Sequence, residues 1–372
     1  MDGRKVRAEM TKNMRVGLVL GAGGVMGGAW ITGALDALAK ETGWDPATAD
    51  YIVGTSAGSM MGALLASGVP PWFMRAHSEG ETFDGLVDAE GQPAETADRS
   101  GGAVYGLHRG WPRPLLGSPS LVRKLISDPA SVPPIAGLIA LGPRGVISTE
   151  PLKDVVRRVV PSGWAPHPNF WAVAADYATL ERVAFGSPGA PRASLADAVA
   201  ASCAVPSFYH PVRIGGRDYL DGGVISVSNI DLLAGAGLDL VICLNPMSSR
   251  HQPSGLRPSA RIGAALRAGY GRRLGQEARR LRDAGTEVIL VQPTARDLRA
   301  MGNNYMSGRN RNQVIATALE TVARQLHQAD NWTLLRDLPP GESYRIARPT
   351  DIPTSRWTET LGIGKVPQRR SA

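Results

Sequence analysis

Tyr51-Ile52-Val53-Gly54-Thr55-Ser56-Ala57-Gly58, followed by the helix-like residues 59–66, sets a serine between a short apolar run and a helix. Strand, sharp turn and helix in that order put Ser56 at the apex, the arrangement of a nucleophile elbow. The small residues two positions either side, Gly54 and Gly58, allow the tight turn and leave Oγ exposed. The implied chemistry is acyl transfer through a serine ester. Which group takes the proton from Ser56 is open at this point.

Upstream, residues 14–20 form an apolar run, and Gly21-Ala22-Gly23-Gly24-Val25-Met26-Gly27 joins it to a helix-like stretch, residues 30–38. Strand, helix, strand, helix within about 55 residues is a parallel α/β signature. The uncharged stretch 16–35, preceded by Lys12 and Arg15, also resembles an export signal or membrane span. Seven of its 20 residues are glycine, however. A spanning helix wants near-continuous apolar side chains, so strand, glycine loop and buried helix fit better.

Backbone N–H groups gathered where such a loop opens a helix attract negative charge. Two readings compete. A dinucleotide site wants Gly-x-Gly-x-x-Gly and an acidic residue ending the second strand. Here the spacing is off by one, and the second strand ends in the serine elbow. The oxyanion-hole reading is favoured, with the amides of Gly23 and Gly24 facing an acyl oxygen bonded to Ser56.

Downstream, regularity fails after Gly68. A short helix starts at Pro70-Pro71, and residues 81–103 carry one Arg against six carboxylates. Residues 81–145 read as an irregular insertion and a candidate lid, with one helix at 120–126. Further helices are expected at 149–160, 192–204, 258–283 and 309–328. Strands are expected at 170–175, 182–185, 238–244 and 287–291, with a hairpin around Gly215-Gly216. Residues 1–13 read as a basic tail, 14–329 as one domain and 330–372 as an extended C-terminal tail.

The chain has 372 residues and a net charge of +8, with 35 Arg and six Lys. No nucleic-acid-binding pattern accompanies the arginines, so nucleic acid is not expected as a partner. Arg257, Arg261, Arg267, Arg272, Arg273, Arg279, Arg280 and Arg282 crowd one helix. They make peripheral contact with an anionic membrane surface a candidate, beside the plainer reading of a solvated helix face. Cys203 and Cys243 lie in apolar stretches and give neither a disulfide framework nor a metal-ligand spacing. A reducing, cytoplasmic setting follows as the expectation, and no cofactor or metal is called for.

Six histidines are available as the base: His77, His108, His167, His210, His251 and His327. Only His251 and His327 follow a suitable aspartate, and neither has a local setting that pins an imidazole against Ser56. Asp221, at the end of a strand and followed by Gly222 and Gly223, is the stronger candidate. A carboxylate there can accept the serine proton directly, provided burial raises its basicity. The plainer reading is a turn aspartate satisfying hairpin amides.

The glycine loop at Gly21–Gly27, the elbow at Gly54–Gly58 and Asp221-Gly222-Gly223 occur in that order. Between the last two lies Ala200-Ala201-Ser202-Cys203-Ala204-Val205-Pro206. Together, over residues 14–245, these elements resemble the patatin-like phospholipase family. The resemblance implies a three-layer α/β/α fold with a mainly parallel sheet and hydrolysis of lipid acyl esters by a Ser–Asp dyad. It places the nucleophile on Ser56, the base on Asp221 and the oxyanion donors on Gly23 and Gly24. The sequence departs from the family at Ala22, where a glycine is usual, and at Met26, where a basic residue is usual. Asn229 comes later than the family's Asn and is given no role. Transacylation by the same dyad and a non-catalytic lipid-binding protein are the rival functions.

Overall fold

A computed structural model describes residues 14–81, 107, 117–127, 136–249 and 258–348, without the side chains of 136, 138 and 258–264. The expected N-terminal tail, most of the insertion, His108, His251 and residues 349–372 lie outside the described residues.

The elements follow in chain order. The first half holds β1 (Val16–Leu20), α1 (Gly24–Thr42), β2 (Tyr51–Thr55), α2 (Ala57–Ala66), α3 (Pro71–Glu79), α4 (Pro119–Ser127), α5 (Ala136–Leu141) and α6 (Glu150–Arg157). The second half holds β3 (Phe170–Asp176), β4 (Arg182–Phe185), α7 (Leu195–Ser202), β5 (Val212–Ile214), β6 (Arg217–Asp221), β7 (Leu240–Leu244), α8 (Pro258–Asp283), β8 (Glu287–Val291), α9 (Ala295–Met301), α10 (Arg311–Leu326), α11 (Ala329–Leu335) and α12 (Ser343–Ile346).

The strands form one sheet. Its core, β3-β2-β1-β7-β8, is parallel, while β4, β6 and β5 join antiparallel. Alternate side chains serve opposite faces, as the two-residue period of a strand requires. Leu18 and Leu20 of β1 and Ile242 and Leu244 of β7 pack into a core with α1, α2 and α10. Val19, Val241 and Cys243 face the other way, onto Leu274, Ala278 and Leu281 of α8. The result is a three-layer α/β/α fold whose central strands are apolar on both faces, as parallel sheets generally are.

The register explains how two distant residues meet. Strand β2 climbs β3 as far as the pair Thr55–Val173. Strand β6 descends β3 from Asp176 and ends at the pair Asp221–Ala174. Because β4 covers residues 172–175 of β3, it fills one edge, and β2 and β6 must share the other. They abut head to head, so Ser56, which follows Thr55, arrives beside Asp221.

Residues 330–348 differ from the extended tail expected of them. Trp72 Nε1 donates to Tyr344 O at 2.7 Å, Arg345 pairs with the buried Asp45, and its second branch donates to Gly68 O at 3.1 Å. Proline and polar residues dominate this stretch, but a few anchors (Leu335, Leu338, Arg345) are buried and dock it. Within the insertion, α4 packs Leu121 against Ile139, Tyr177 and Leu220.

Candidate active site

Ser56 occupies the strained backbone conformation that an elbow demands, with φ 54° and ψ −123°. A non-glycine residue there costs about 1–3 kcal/mol and persists only if its surroundings over-determine it. Ser56 N donates to Ser202 Oγ at 2.9 Å, and Ser202 Oγ donates to Val173 O at 2.6 Å. Ser56 O accepts from Ser59 Oγ at 2.7 Å and from Cys203 Sγ at 3.2 Å. Helix α7 and strand β3 therefore clamp both sides of the turn.

Gly58 lets α2 start flush against β1, since a Cβ at this position would collide with the Leu20 carbonyl. The same packing sets the elbow on the first residue of the glycine loop. A methyl on Gly223 would meet Ala22 Cβ at 3.3 Å, so the Asp221 turn touches that loop as well. The elbow, the glycine loop and the Asp-Gly-Gly turn, all expected from sequence as site elements, are thus contiguous.

Asp221 is buried, and its carboxylate lies close enough to the Ser56 side chain to be affected by it. Gly223 N donates to Asp221 Oδ1 at 2.7 Å. Burial pushes the carboxyl up to about 6, against the opposing pull of the Ser56 side chain and the Gly223 hydrogen bond. Desolvation of the charged form is the cause. Cys203, equally enclosed and also near the Asp221 charge, has its thiol pushed up to about 12. It is a neutral donor at this site and not a second nucleophile.

In the glycine loop, Gly21 N donates to Leu244 O at 2.9 Å and Ala22 N to Val227 O at 2.8 Å, while Met26 N donates to Tyr305 O at 3.0 Å. The amides of Gly23 and Gly24 have no acceptor among the described residues. Gly24 has φ +59°, the left-handed region that turns the chain into α1. Two free donors thus stand at the N-terminus of a 19-residue helix, where the backbone dipole also favours an anion.

The described histidines are engaged elsewhere. His167 Nε2 meets Ala49 O at 2.7 Å, His210 Nδ1 meets Pro211 O at 2.9 Å, and His327 Nε2 meets Glu41 Oε2 at 2.7 Å. His77 stacks on Phe73. Among the described residues no three His, Cys, Asp or Glu side chains converge as metal ligands would, and no helix is long and apolar enough to cross a membrane.

Three contributors went unassigned from sequence. Ser202 lay inside a quoted motif without a role. Asn229, buried, donates from Nδ2 to Thr55 Oγ1 at 3.0 Å and to Ser226 O at 2.6 Å. Its late spacing is absorbed by the turn of residues 222–224 and by a left-handed backbone at Asn229 itself. Tyr270 on α8 lies close enough to Asp221 that burial and the carboxylate's charge push its phenol up.

The family profile described as patatin-like phospholipase matches residues 18–234, more than half of the chain. The chain belongs to the patatin-like phospholipase family. No curated protein matches in sequence. The crystal structure of VipD from Legionella pneumophila is similar at 14% identity and a TM-score of 0.37, over 84% of this chain and 66% of that one. The chain thus spans just under two thirds of VipD, a likeness too low to add to the family match.

Proposed function

We propose that the protein hydrolyses carboxylic esters of lipids through a Ser56–Asp221 dyad and an acyl-enzyme. Asp221 accepts the hydroxyl proton as Ser56 Oγ attacks the ester carbonyl. The Gly23 and Gly24 amides receive the oxyanion, and the protonated Asp221 returns its proton to the departing alcohol. Water, deprotonated by Asp221, then attacks the acyl-enzyme and releases the fatty acid and free Ser56.

One observation carries the reading: the elbow serine, Ser56, follows the end of β2 where β6 ends at the buried Asp221, whose carboxyl burial pushes up to about 6. That places the base close to working pH, where general-base catalysis is effective. Fluorophosphonate labelling with ester turnover tests it in the wild type, Ser56→Ala and Asp221→Asn. The expected result is labelling and turnover in the wild type only, with turnover down at least about 10³-fold in both variants. His327→Asn is expected to retain wild-type turnover. Loss of turnover there, with Asp221→Asn active, overturns the dyad.

A further inference from the structure

The arginines of helix α8 do not behave alike. Arg272, Arg279 and Arg280 are exposed, and Arg273 pairs with Glu277 at 2.9 Å. Arg267 is different: it is 8% exposed, its Nε has no hydrogen-bond partner, and it forms no ion pair with any described residue. Burial alone acts on it, and pushes its pKa down. Sealing a guanidinium N–H from water with no acceptor is unfavourable.

Its position gives the burial a purpose. The guanidinium lies over the Tyr305 ring, 5.4 Å from the centroid. Tyr305 O is the acceptor for Met26 N in the glycine loop and would lie 2.9 Å from a Cβ on Gly24. One helical turn beyond Arg267, Tyr270 feels the charge of Asp221. Glu277, further along the same helix, accepts from Ser228 Oγ at 2.6 Å and Ser226 Oγ at 3.0 Å, fixing α8 against the segment that follows Asp221. Arg267 therefore stands on the residue that braces the glycine loop, one helical turn from a tyrosine that feels Asp221. The glycine loop supplies no cation of its own, since residue 26 is a buried methionine.

We propose that Arg267 is a specificity-determining residue that binds a phosphate oxyanion carried by the ester substrate, beside the Gly23–Gly24 loop. This rests on the reading of Ser56 as nucleophile. The planar guanidinium offers a fork of donors matched to phosphate oxygens, and the Tyr305 face holds it in place. The substrate supplies a counter-charge that no described residue gives Arg267.

The test compares two esters of one acyl chain in neutral detergent micelles, a monoacylglycerol phosphate and the corresponding monoacylglycerol. Wild type, Arg267→Gln, Arg267→Lys and Ser56→Ala are assayed, each checked for its thermal midpoint. Arg267→Gln is expected to lower kcat/KM for the phosphate ester about 10–100-fold, mainly through KM, and to leave the neutral ester within about twofold. Arg267→Lys restores part of the loss, because charge returns without the fork. Equal loss on both esters, or no loss on either, overturns the assignment while leaving the dyad intact. Inorganic phosphate that alters neutral-ester turnover in the wild type but not in Arg267→Gln, with no preference between the esters, shows a free-phosphate site and also overturns it. A wild type that turns over neither ester, or a Ser56→Ala that turns over both, overturns the reading of the site itself.

Discussion

Asn229 reaches across from the segment after Asp221 and donates to the hydroxyl of Thr55, the residue before Ser56. A single buried amide thus couples the Asp221 turn to the end of β2. Arg182 holds the far side, donating to Asn229 Oδ1 at 3.2 Å and to both oxygens of Asp231. Asn229→Ala leaves Thr55 Oγ1, Ser226 O and Arg182 short of partners and puts alanine in a left-handed conformation. Each buried group left unsatisfied costs about 1–3 kcal/mol, so the urea midpoint is expected to fall. Thr55→Val, which removes one bond and keeps the shape, is expected to lose less stability but still lower kcat.

Ser202 acts on the elbow from the other side. Ser202→Ala removes the acceptor of Ser56 N and leaves a strained turn with an orphaned buried donor. A stability loss of about 1–3 kcal/mol is expected, with a fall in kcat and little change in KM. Denaturant unfolding and steady-state kinetics on one ester check both parts. An unchanged kcat would show that the turn holds its shape without this bond.

Gly24→Ala probes the other donor set. The new Cβ meets a left-handed backbone and the Tyr305 carbonyl at 2.9 Å. The backbone penalty alone is about 1–2 kcal/mol, and relief of it rotates the free amide away from the oxyanion. The expected signature is a kcat drop of about 10–10³-fold with fluorophosphonate labelling slowed in parallel. Labelling at the wild-type rate would move the oxyanion donors elsewhere.

Much of this arrangement is legible in the sequence because it is local. Glycine spacing around Ser56, the small-residue loop after β1 and the Asp-Gly-Gly turn are backbone requirements written in neighbouring residues. The apolar runs of β1, β2, β7 and β8 are legible for the same reason, since strands buried on both faces need continuous hydrophobes. What connects them is non-local. That β2 and β6 abut on one edge of β3 follows from the register of β4, 182–185, which no pattern near Ser56 reveals. Asn229 and Ser202 are ordinary polar residues until their partners, 174 and 146 positions away, are in place. Helix α9 was missed although Thr294 and Asp297 form a capping box, because seven residues are too few for a visible period. Arg267 reads like its neighbours in sequence, and only packing encloses its Nε.

Asp221 ties activity to stability with opposite signs. Its folded value, about 6, lies above the ordinary 3.8, so the folded state holds this proton more tightly than the unfolded chain. The stabilising contribution is fully present below about pH 3.8 and is lost as pH rises through about 6. At neutral pH the buried carboxylate therefore costs about 3 kcal/mol. Asp221→Asn keeps the acceptor for Gly223 N and removes the charge. It is expected to be inactive yet more stable than the wild type at pH 7.5, with the gain vanishing near pH 4. In the wild type, kcat/KM rises about tenfold per pH unit on the acid limb and levels above about pH 6, because the base works only when ionised. Thermal midpoints at the two pH values and a pH–rate profile measure both halves. A gain over the wild type no larger at pH 7.5 than at pH 4 would mean that burial does not raise the Asp221 pKa.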